Sequence, residues 1–168
     1  FFFSGFLSGI YSSLSILGRM IFFGLGPFIS LVLPIASHRQ AAAKKSRSVF
    51  LKLGAAMIVF GISATGVFVF FPDIVIRLSS GANYLEGASY LPFVAVSMFL
   101  FSLNLFIISY FMAIGQPQAN KFLLAATTAQ PLLILLFHNS LSQVVNINLA
   151  IEAMLFLALI WRLKKQGI

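Results

Sequence analysis

Residues 8–52 read SGIYSSLSILGRMIFFGLGPFISLVLPIASHRQAAAKKSRSVFLK, and this stretch decides the fold. Its apolar part exceeds the roughly 20 residues that a helix needs to cross a bilayer. It contains one arginine, Arg19, and two prolines, Pro27 and Pro34, and it ends in a segment with five of the chain's eleven lysines and arginines. The stretch therefore predicts a membrane span, a charge inside that span, and a basic flank that sets the orientation of the chain.

The composition of the whole chain also indicates an integral membrane protein. The 168 residues are 60% hydrophobic and 8% charged, with a mean hydropathy of +1.03, whereas about a quarter of the residues in soluble domains are charged. In a soluble protein, a net charge of +8 would indicate binding to nucleic acid. Here the bases lie in short clusters beside apolar runs, where they set topology and contact anionic lipid. We therefore expect membrane lipid, and no nucleic acid, as a partner.

The apolar runs predict an all-α fold, a polytopic transmembrane helix bundle that forms a single domain over residues 1–168. Five spans are predicted, over residues 10–37, 48–71, 91–114, 120–137 and 142–161. Both prolines of the first span are expected to bend it, because each removes a backbone donor. Loops are predicted at 38–47 and 72–90, a tight turn after Gly115, and an uncharged turn at 138–140.

One face of the second span predicts close helix packing. Gly54, Ile58, Gly61 and Thr65 follow i, i+4, i+7, i+11 spacing, which makes a seam of mostly small residues for a neighbouring helix. Gly115, just after the third span, is typical of a helix C-terminal cap.

The distribution of charge predicts the orientation of the bundle. With five spans, nine of the eleven basic residues fall on one side: five in residues 38–52, Lys121, and three in the tail at 162–165. The 72–90 loop, with two acids and one arginine, falls on the other side. Because cytoplasmic loops carry the excess of lysine and arginine, we expect the N-terminus outside and the C-terminus in the cytoplasm.

Arg19 is the first candidate for a functional role, because a guanidinium in mid-bilayer costs about 2.5 to 3.5 kcal/mol on insertion scales. Ser8, Ser12, Ser15 and Arg19 are spaced by four, three and four residues and share one helical face. That face is typical of the wall of a wet cavity. If the span instead begins near Gly18, Arg19 lies at the outer interface and only anchors the helix.

Each of the polar residues in the other spans has two possible roles. Asn104 in the third span, and Thr127 and Gln130 in the fourth, either line a cavity or form interhelical hydrogen bonds. Glu152, in the middle of the fifth span, lies one turn after Asn148 on the same face. An isolated carboxyl group there is expected to be protonated or paired, so Glu152 is either a coupling site or a buried neutral acid.

The residues needed for catalysis are scarce. The chain has three acids, two histidines and no cysteine, so disulfides and thiolate metal sites are excluded. The two histidines, His38 and His138, lie far apart, which leaves no metal-ligand spacing. No glycine-rich phosphate loop or nucleophile motif is present. We therefore expect no enzyme, no catalytic residue, no metal and no cofactor.

Several short patterns, taken in order, resemble a known transporter family. They are Gly9-x-Tyr11, SxLSxLGR ending at Arg19, FISLVLPIAS, the basic loop, FPDIVIRL, and Gly81-x-x-Tyr84-x-x-x-Ala88-x-x-Leu91. Together they resemble the C-terminal part of Wzx-type polysaccharide (O-antigen) flippases, within the multidrug, oligosaccharidyl-lipid and polysaccharide exporter superfamily.

The resemblance implies the function, fold and partners of a flippase in the bacterial cytoplasmic membrane. It implies alternating-access movement of a polyprenyl-diphosphate-linked oligosaccharide for surface polysaccharide biosynthesis, by a fold of about 12–14 helices whose N-terminal bundle this chain lacks. Arg19 would contact the diphosphate, and the cavity candidates are Ser12, Ser15, Asn104 and Gln130, with Glu152 for coupling. The opening FFFSGFLSG lacks an initiator methionine and reads as part of a longer protein. The alternatives are a multidrug exporter of the same superfamily and a structural membrane subunit that transports nothing.

Overall fold

Long apolar helices account for most of the chain. The structure is a computed structural model that describes residues 5–42, 47–137 and 140–166. In this part there are six α-helices: α1 (Gly5–Ala41), α2 (Arg47–Phe70), α3 (Pro72–Ser79), α4 (Leu91–Ala113), α5 (Asn120–Leu136) and α6 (Leu141–Lys165). Short 3-10 helices cover Ala82–Gly87 and Pro117–Ala119. The all-α prediction is therefore confirmed.

Five helices are long and apolar enough to cross a membrane, as the sequence predicted. They are α1, α2, α4, α6, and α5 taken together with the preceding 3-10 turn. The described bundle is therefore that of a multi-pass membrane protein. Part of the basic loop, residues 43–46, and residues 138–139 of the expected uncharged turn lie outside the described residues.

The first and last helices are longer than predicted. α1 extends from Gly5 to Ala41 and continues through Pro27 and Pro34, whereas the prediction was 10–37. α6 ends at Lys165 instead of 161. The added C-terminal residues are mostly good helix formers, and their basic side chains are stabilising at helix C-termini. At 1.5 Å per residue α1 is longer than a bilayer core is thick, so it tilts or projects.

The segment expected to be a loop at 72–90 is largely helical. Pro72 lies in the first turn of α3, where its missing N–H costs nothing, and Asp73 and Arg77 lie at the helix ends that favour their charges. Ile76 is 1% exposed and packs in a cluster with Ile10 and Leu91. This short helix therefore covers one end of the bundle.

α4 is the centre of the bundle. It packs against α1, α2 and α6, and α5 packs against α6. Its apolar residues Phe106 and Phe111 are buried in the larger core cluster with Met57 and Leu159. The polar residues on α4 are therefore enclosed by other helices.

Backbone geometry at the end of α4 follows the predicted glycine cap. Gly115 has φ +75°, a conformation that glycine adopts without a Cβ clash. Its N–H donates to the Met112 carbonyl at 3.1 Å, and the Gln116 N–H donates to the Phe111 carbonyl at 2.9 Å. These two bonds form a Schellman motif, which turns the chain sharply towards α5.

The seam predicted on α2 is right at three of its four positions. Gly54 and Gly61 approach Phe106 and Phe99 of α4, and Thr65 is buried. Ile58 was wrongly included, because it is 43% exposed. Met57, the preceding residue, is buried instead. Met57 lies three residues after Gly54 and four before Gly61, so it shares their helical face towards α4, whereas Ile58 lies beside that face.

Gly61→Ala is expected to lower the free energy of unfolding by about 1 kcal/mol, because the added methyl group collides with the Phe99 ring. Gly66→Ala on the same helix is the matched control: there the methyl group meets only Phe70, at 3.9 Å. This control is expected to be neutral or stabilising, because alanine favours a helix. Thermal unfolding in detergent measures both variants, and equal stability of the two would contradict the close α2–α4 packing.

The outer surface of the bundle is strongly apolar. Large side chains on four different helices are more than half exposed, among them Phe23 69%, Phe70 78%, Leu132 60% and Met154 71%. A soluble protein rarely exposes apolar surface on this scale. Lipid chains, which are themselves apolar, suit this surface.

The two ends of the bundle differ in charge. The start of α2 and the end of α4 lie at the same end of the bundle, because the ring centroids of Phe50 and Tyr110 are 4.3 Å apart. The Gln166 side-chain amide donates to Gln116 Oε1, which joins the end of α6 to the α4–α5 turn. This arrangement gathers at one end the described bases Arg39, Arg47, Lys52, Lys121, Arg162, Lys164 and Lys165. Asp73, Arg77 and Glu86 belong to the opposite end.

Candidate functional site

A polar cavity lies between α1, α4, α5 and α6. Its volume is about 210 Å³, which is enough for several water molecules or a small polar group. Four helices supply its walls: Tyr11, Ser15, Val94, Ser97, Met98, Phe101, Gln130, Val145, Asn148 and Glu152. More than half of these side chains are polar, although the four helices are mostly apolar.

A second cavity adjoins the first between α4, α5 and α6. It has a volume of about 370 Å³ and shares Phe101, Gln130 and Glu152 with the polar cavity. Most of its other lining is apolar, apart from Thr127. Gln130 and Glu152 therefore lie where the two cavities meet.

The buried centre of the site is the pair formed by Asn104 of α4 and Glu152 of α6. Asn104 is 0% exposed and Glu152 is 9% exposed. The Asn104 Nδ2 group donates to Glu152 Oε2 at 2.8 Å and to the Glu152 backbone carbonyl at 3.0 Å. An amide NH₂ has two hydrogens, so both bonds form at once. Asn104 thus fixes α4 against both the backbone and the side chain of α6.

Two buried polar side-chain atoms on α4 have no hydrogen-bond partner. They are Asn104 Oδ1 and Ser97 Oγ, among the residues that the structure describes. A buried polar atom without a hydrogen bond is costly in an apolar bundle. Ser97 lines the polar cavity, so its hydroxyl is available there to a polar ligand or water. Asn104 was predicted either to line a cavity or to bond between helices; it bonds to Glu152 of α6 and lines neither of the two cavities.

A second amide pair links α5 to α6. The Gln130 Nε2 group donates to Asn148 Oδ1 at 2.8 Å. Asn148 lies one turn before Glu152, so the two amide and carboxyl contacts form a continuous polar band along α6. Gln130 was predicted from the sequence either to line a cavity or to bond between helices, and the structure places it in both positions.

The serines and the arginine predicted on one face of α1 differ in their exposure and in their contact with the cavity. Ser15 lines the polar cavity, whereas Ser12 and Arg19 are exposed on the outside of the described bundle. The rotation of α1 is set by Gly18, where an added Cβ would lie 2.8 Å from Val94. Arg19, the next residue, projects about 100° further round the helix. Arg19 does not line the cavity that Glu152 and Gln130 share.

Three of the polar lining residues were not among the predicted site residues, although their spacing gave a signal. Tyr11 precedes Ser15 by four residues, and Asn148 precedes Glu152 by four, so each shares a helical face with a predicted residue. Ser97 precedes Asn104 by seven residues, which is two turns. A search for polar side chains one or two turns away from each predicted residue, on the same helical face, would have found all three.

The site offers hydroxyl, amide and carboxyl groups for binding. No group of three or more histidine, cysteine, aspartate or glutamate side chains that could hold a metal occurs within the described ranges. No protein-family model, curated protein or solved structure matches the chain. The fold and the cavity together define a multi-pass, all-α membrane protein with a polar site inside its helix bundle.

Proposed function

We propose that this chain is part of a flippase that carries a polyprenyl-diphosphate-linked oligosaccharide across the cytoplasmic membrane by alternating access. The polar cavity at Glu152, which lies between four apolar helices and to which six polar side chains contribute, is the observation that supports this function best. Moving a sugar head group across a bilayer requires polar groups at membrane depth, because an unsatisfied polar group there costs several kcal/mol. The sequence patterns that resemble polysaccharide flippases support the same function.

Arg19 and the cavity take different roles in this proposal. Arg19 is exposed on α1 and does not line the cavity, so it is available to the diphosphate in a cleft shared with a separate N-terminal bundle of the same protein. A guanidinium binds phosphate oxygens through paired, charge-assisted hydrogen bonds. Ser15 and Gln130 provide hydroxyl and amide groups of the kind that bind sugars, and Glu152 is the candidate for coupling.

A multidrug exporter is the second candidate function, and one observation favours it. The acidic side chain that lines the cavity is Glu152, whereas the basic Arg19 does not line it. Tyr11 and Phe101 add aromatic rings to the same lining. A carboxylate with aromatic rings suits a cationic organic molecule better than a diphosphate.

Reconstitution of the complete gene product in liposomes tests these functions directly. A labelled polyprenyl-diphosphate oligosaccharide is placed in the liposomes, and its exposure to an external glycosidase is followed with time. Faster exposure than in liposomes with heat-inactivated protein supports the flippase. Efflux of a cationic dye without lipid movement supports the exporter, and absence of both activities supports a structural membrane subunit.

We further propose that the basic end of the bundle faces the cytoplasm, with the N-terminus outside. The chain contains no cysteine, so a single introduced cysteine reports its own side of the membrane. Ser89 and Gln118 are both exposed and lie at opposite ends of α4. In intact cells a membrane-impermeant maleimide is expected to label Ser89→Cys but to label Gln118→Cys only after permeabilisation. The reverse pattern would overturn the orientation.

A further inference from the structure

Arg162, at the basic end of the bundle, is held in place by aromatic rings from two other helices. It lies in the last turn of α6 and is partly buried. Its guanidinium carbon is 5.4 Å from the centre of the Phe111 ring on α4 and 5.8 Å from that of Phe122 on α5. Cations over aromatic faces are attracted electrostatically. Three helices therefore fix the position of this charge, which a topology signal alone does not require.

The charge of Arg162 is not matched by an acid within the part of the chain that the structure describes. Within residues 5–42, 47–137 and 140–166 its guanidinium makes cation–π contacts with Phe111 and Phe122 but no ion pair or hydrogen bond. Asp73 and Glu86 belong to the opposite end of the bundle, and Glu152 lies ten residues earlier on α6, about 15 Å away along the helix. The guanidinium thus retains its N–H donors for an anionic ligand.

Other groups that favour an anion surround this position. Lys121 directly precedes Phe122 in the chain, and Lys164 and Lys165 follow Arg162; all three lysines are exposed. α5 begins at the same place without a side-chain cap, so the positive end of its dipole adds to the field. The local charge is therefore strongly positive.

Aromatic and apolar groups next to these cations indicate a lipid rather than a soluble anion. Trp161 is 63% exposed, and Lys165 Nζ lies 5.5 Å from the centre of its ring. Tryptophan is enriched at the level of lipid head groups. Leu124, one turn beyond Lys121, is 64% exposed. An acyl chain lying along α5 has an apolar surface there.

We propose that this basic end is a binding site for the phosphate of an anionic phospholipid head group. Arg162 is the fixed contact, and Lys121, Lys164 and Lys165 supply adjacent positive charge. Basic pockets between transmembrane helices on the cytoplasmic side bind such head groups. The site depends on the membrane-spanning fold and is independent of what the protein transports.

Lipid binding to the purified complete protein in neutral detergent tests the site. Native mass spectrometry and thermal unfolding are measured with phosphatidylglycerol, phosphatidylcholine or inorganic phosphate. We expect phosphatidylglycerol alone to bind at this end and to raise the melting temperature. Arg162→Gln is expected to raise the phosphatidylglycerol Kd about tenfold. Arg77→Gln, an exposed arginine at the opposite end, is the matched control and should leave the Kd unchanged.

A second variant tests the site without changing the partly buried Arg162, so its result does not depend on how Arg162→Gln folds. This triple variant replaces three exposed lysines by glutamine: Lys121→Gln, Lys164→Gln and Lys165→Gln. It is expected to weaken phosphatidylglycerol binding at low salt. Unchanged affinity in both variants would overturn the site. Equal stabilisation by phosphatidylcholine would show that head-group charge is irrelevant, and equal stabilisation by inorganic phosphate would show a soluble-anion site; either result also overturns the proposal.

Discussion

Asn104→Leu is expected to lower the free energy of unfolding by about 3 kcal/mol. The substitution removes both hydrogen bonds that Asn104 Nδ2 donates to Glu152, at 2.8 Å and 3.0 Å. Leucine has a similar volume, so packing is largely kept, but the Glu152 carboxyl group stays in a buried position without its donor. This loss of stability is large because the Glu152 carboxyl group remains in the membrane-embedded core. Water does not replace the missing Asn104 donor there.

A double-mutant cycle separates the pair interaction from the effect of each substitution. Glu152→Leu alone leaves the Asn104 amide without its carboxyl acceptor, whereas Asn104→Leu with Glu152→Leu leaves neither side chain's polar group behind. The double variant is therefore expected to be more stable than the sum of the two single losses predicts. Losses that add to within about 0.5 kcal/mol would contradict a direct interaction. Reversible unfolding in mixed micelles provides the measurement.

Two further variants serve as controls for this cycle. Ser102→Ala lies on the same helix and is also 0% exposed, but its hydroxyl donates to the Met98 carbonyl within the helix at 2.8 Å. It is expected to cost less than about 1 kcal/mol, because no interhelical bond is lost. Glu152→Gln keeps a carbonyl acceptor for Asn104 and should retain most of the stability. Loss of transport in a stable Glu152→Gln protein would then identify an acid role rather than a structural one.

The helices could be predicted from the sequence because hydrophobicity and length decide them locally. The predicted bounds of α2, α4 and α5 differ from the structure by one residue at each displaced end. The helix at Pro72–Ser79 was missed. It has mixed polarity, and only burial of Ile76 against other helices reveals its apolar side.

The site could be predicted only in part, because its geometry depends on how the helices rotate against one another. Asn104 and Glu152 were both candidates, but the sequence did not show that they pair, since the register of α4 and α6 is set by packing along their whole length. The rotation of α1 likewise depends on Gly18 against Val94 and Met98. Ser15 then lines the cavity, whereas Arg19, about 40° further round the same helix, is exposed.

Arg19→Ala, in the complete protein, is expected to abolish surface polysaccharide while leaving the protein level in the membrane unchanged. Arg19 is exposed, so its truncation removes no core packing, and stability should be preserved. If the guanidinium holds a diphosphate through paired bonds, its loss weakens substrate binding by about 100-fold. The measurement is surface polysaccharide in a strain whose own transporter gene is deleted, with membrane protein quantified in parallel.

Two companion variants decide between ligand contact and membrane anchoring. Arg19→Lys keeps the positive charge but not the planar pair of donors, so it is expected to restore only part of the polysaccharide. An anchor at the interface needs only a long cationic side chain, so in that case lysine would restore full function. Arg77→Ala removes another exposed arginine and should leave polysaccharide normal. Normal polysaccharide in Arg19→Ala would exclude the phosphate contact. It would shift the search for the substrate-binding groups to the cavity at Gln130 and Glu152, whose amide and carboxyl groups can bind sugar hydroxyls.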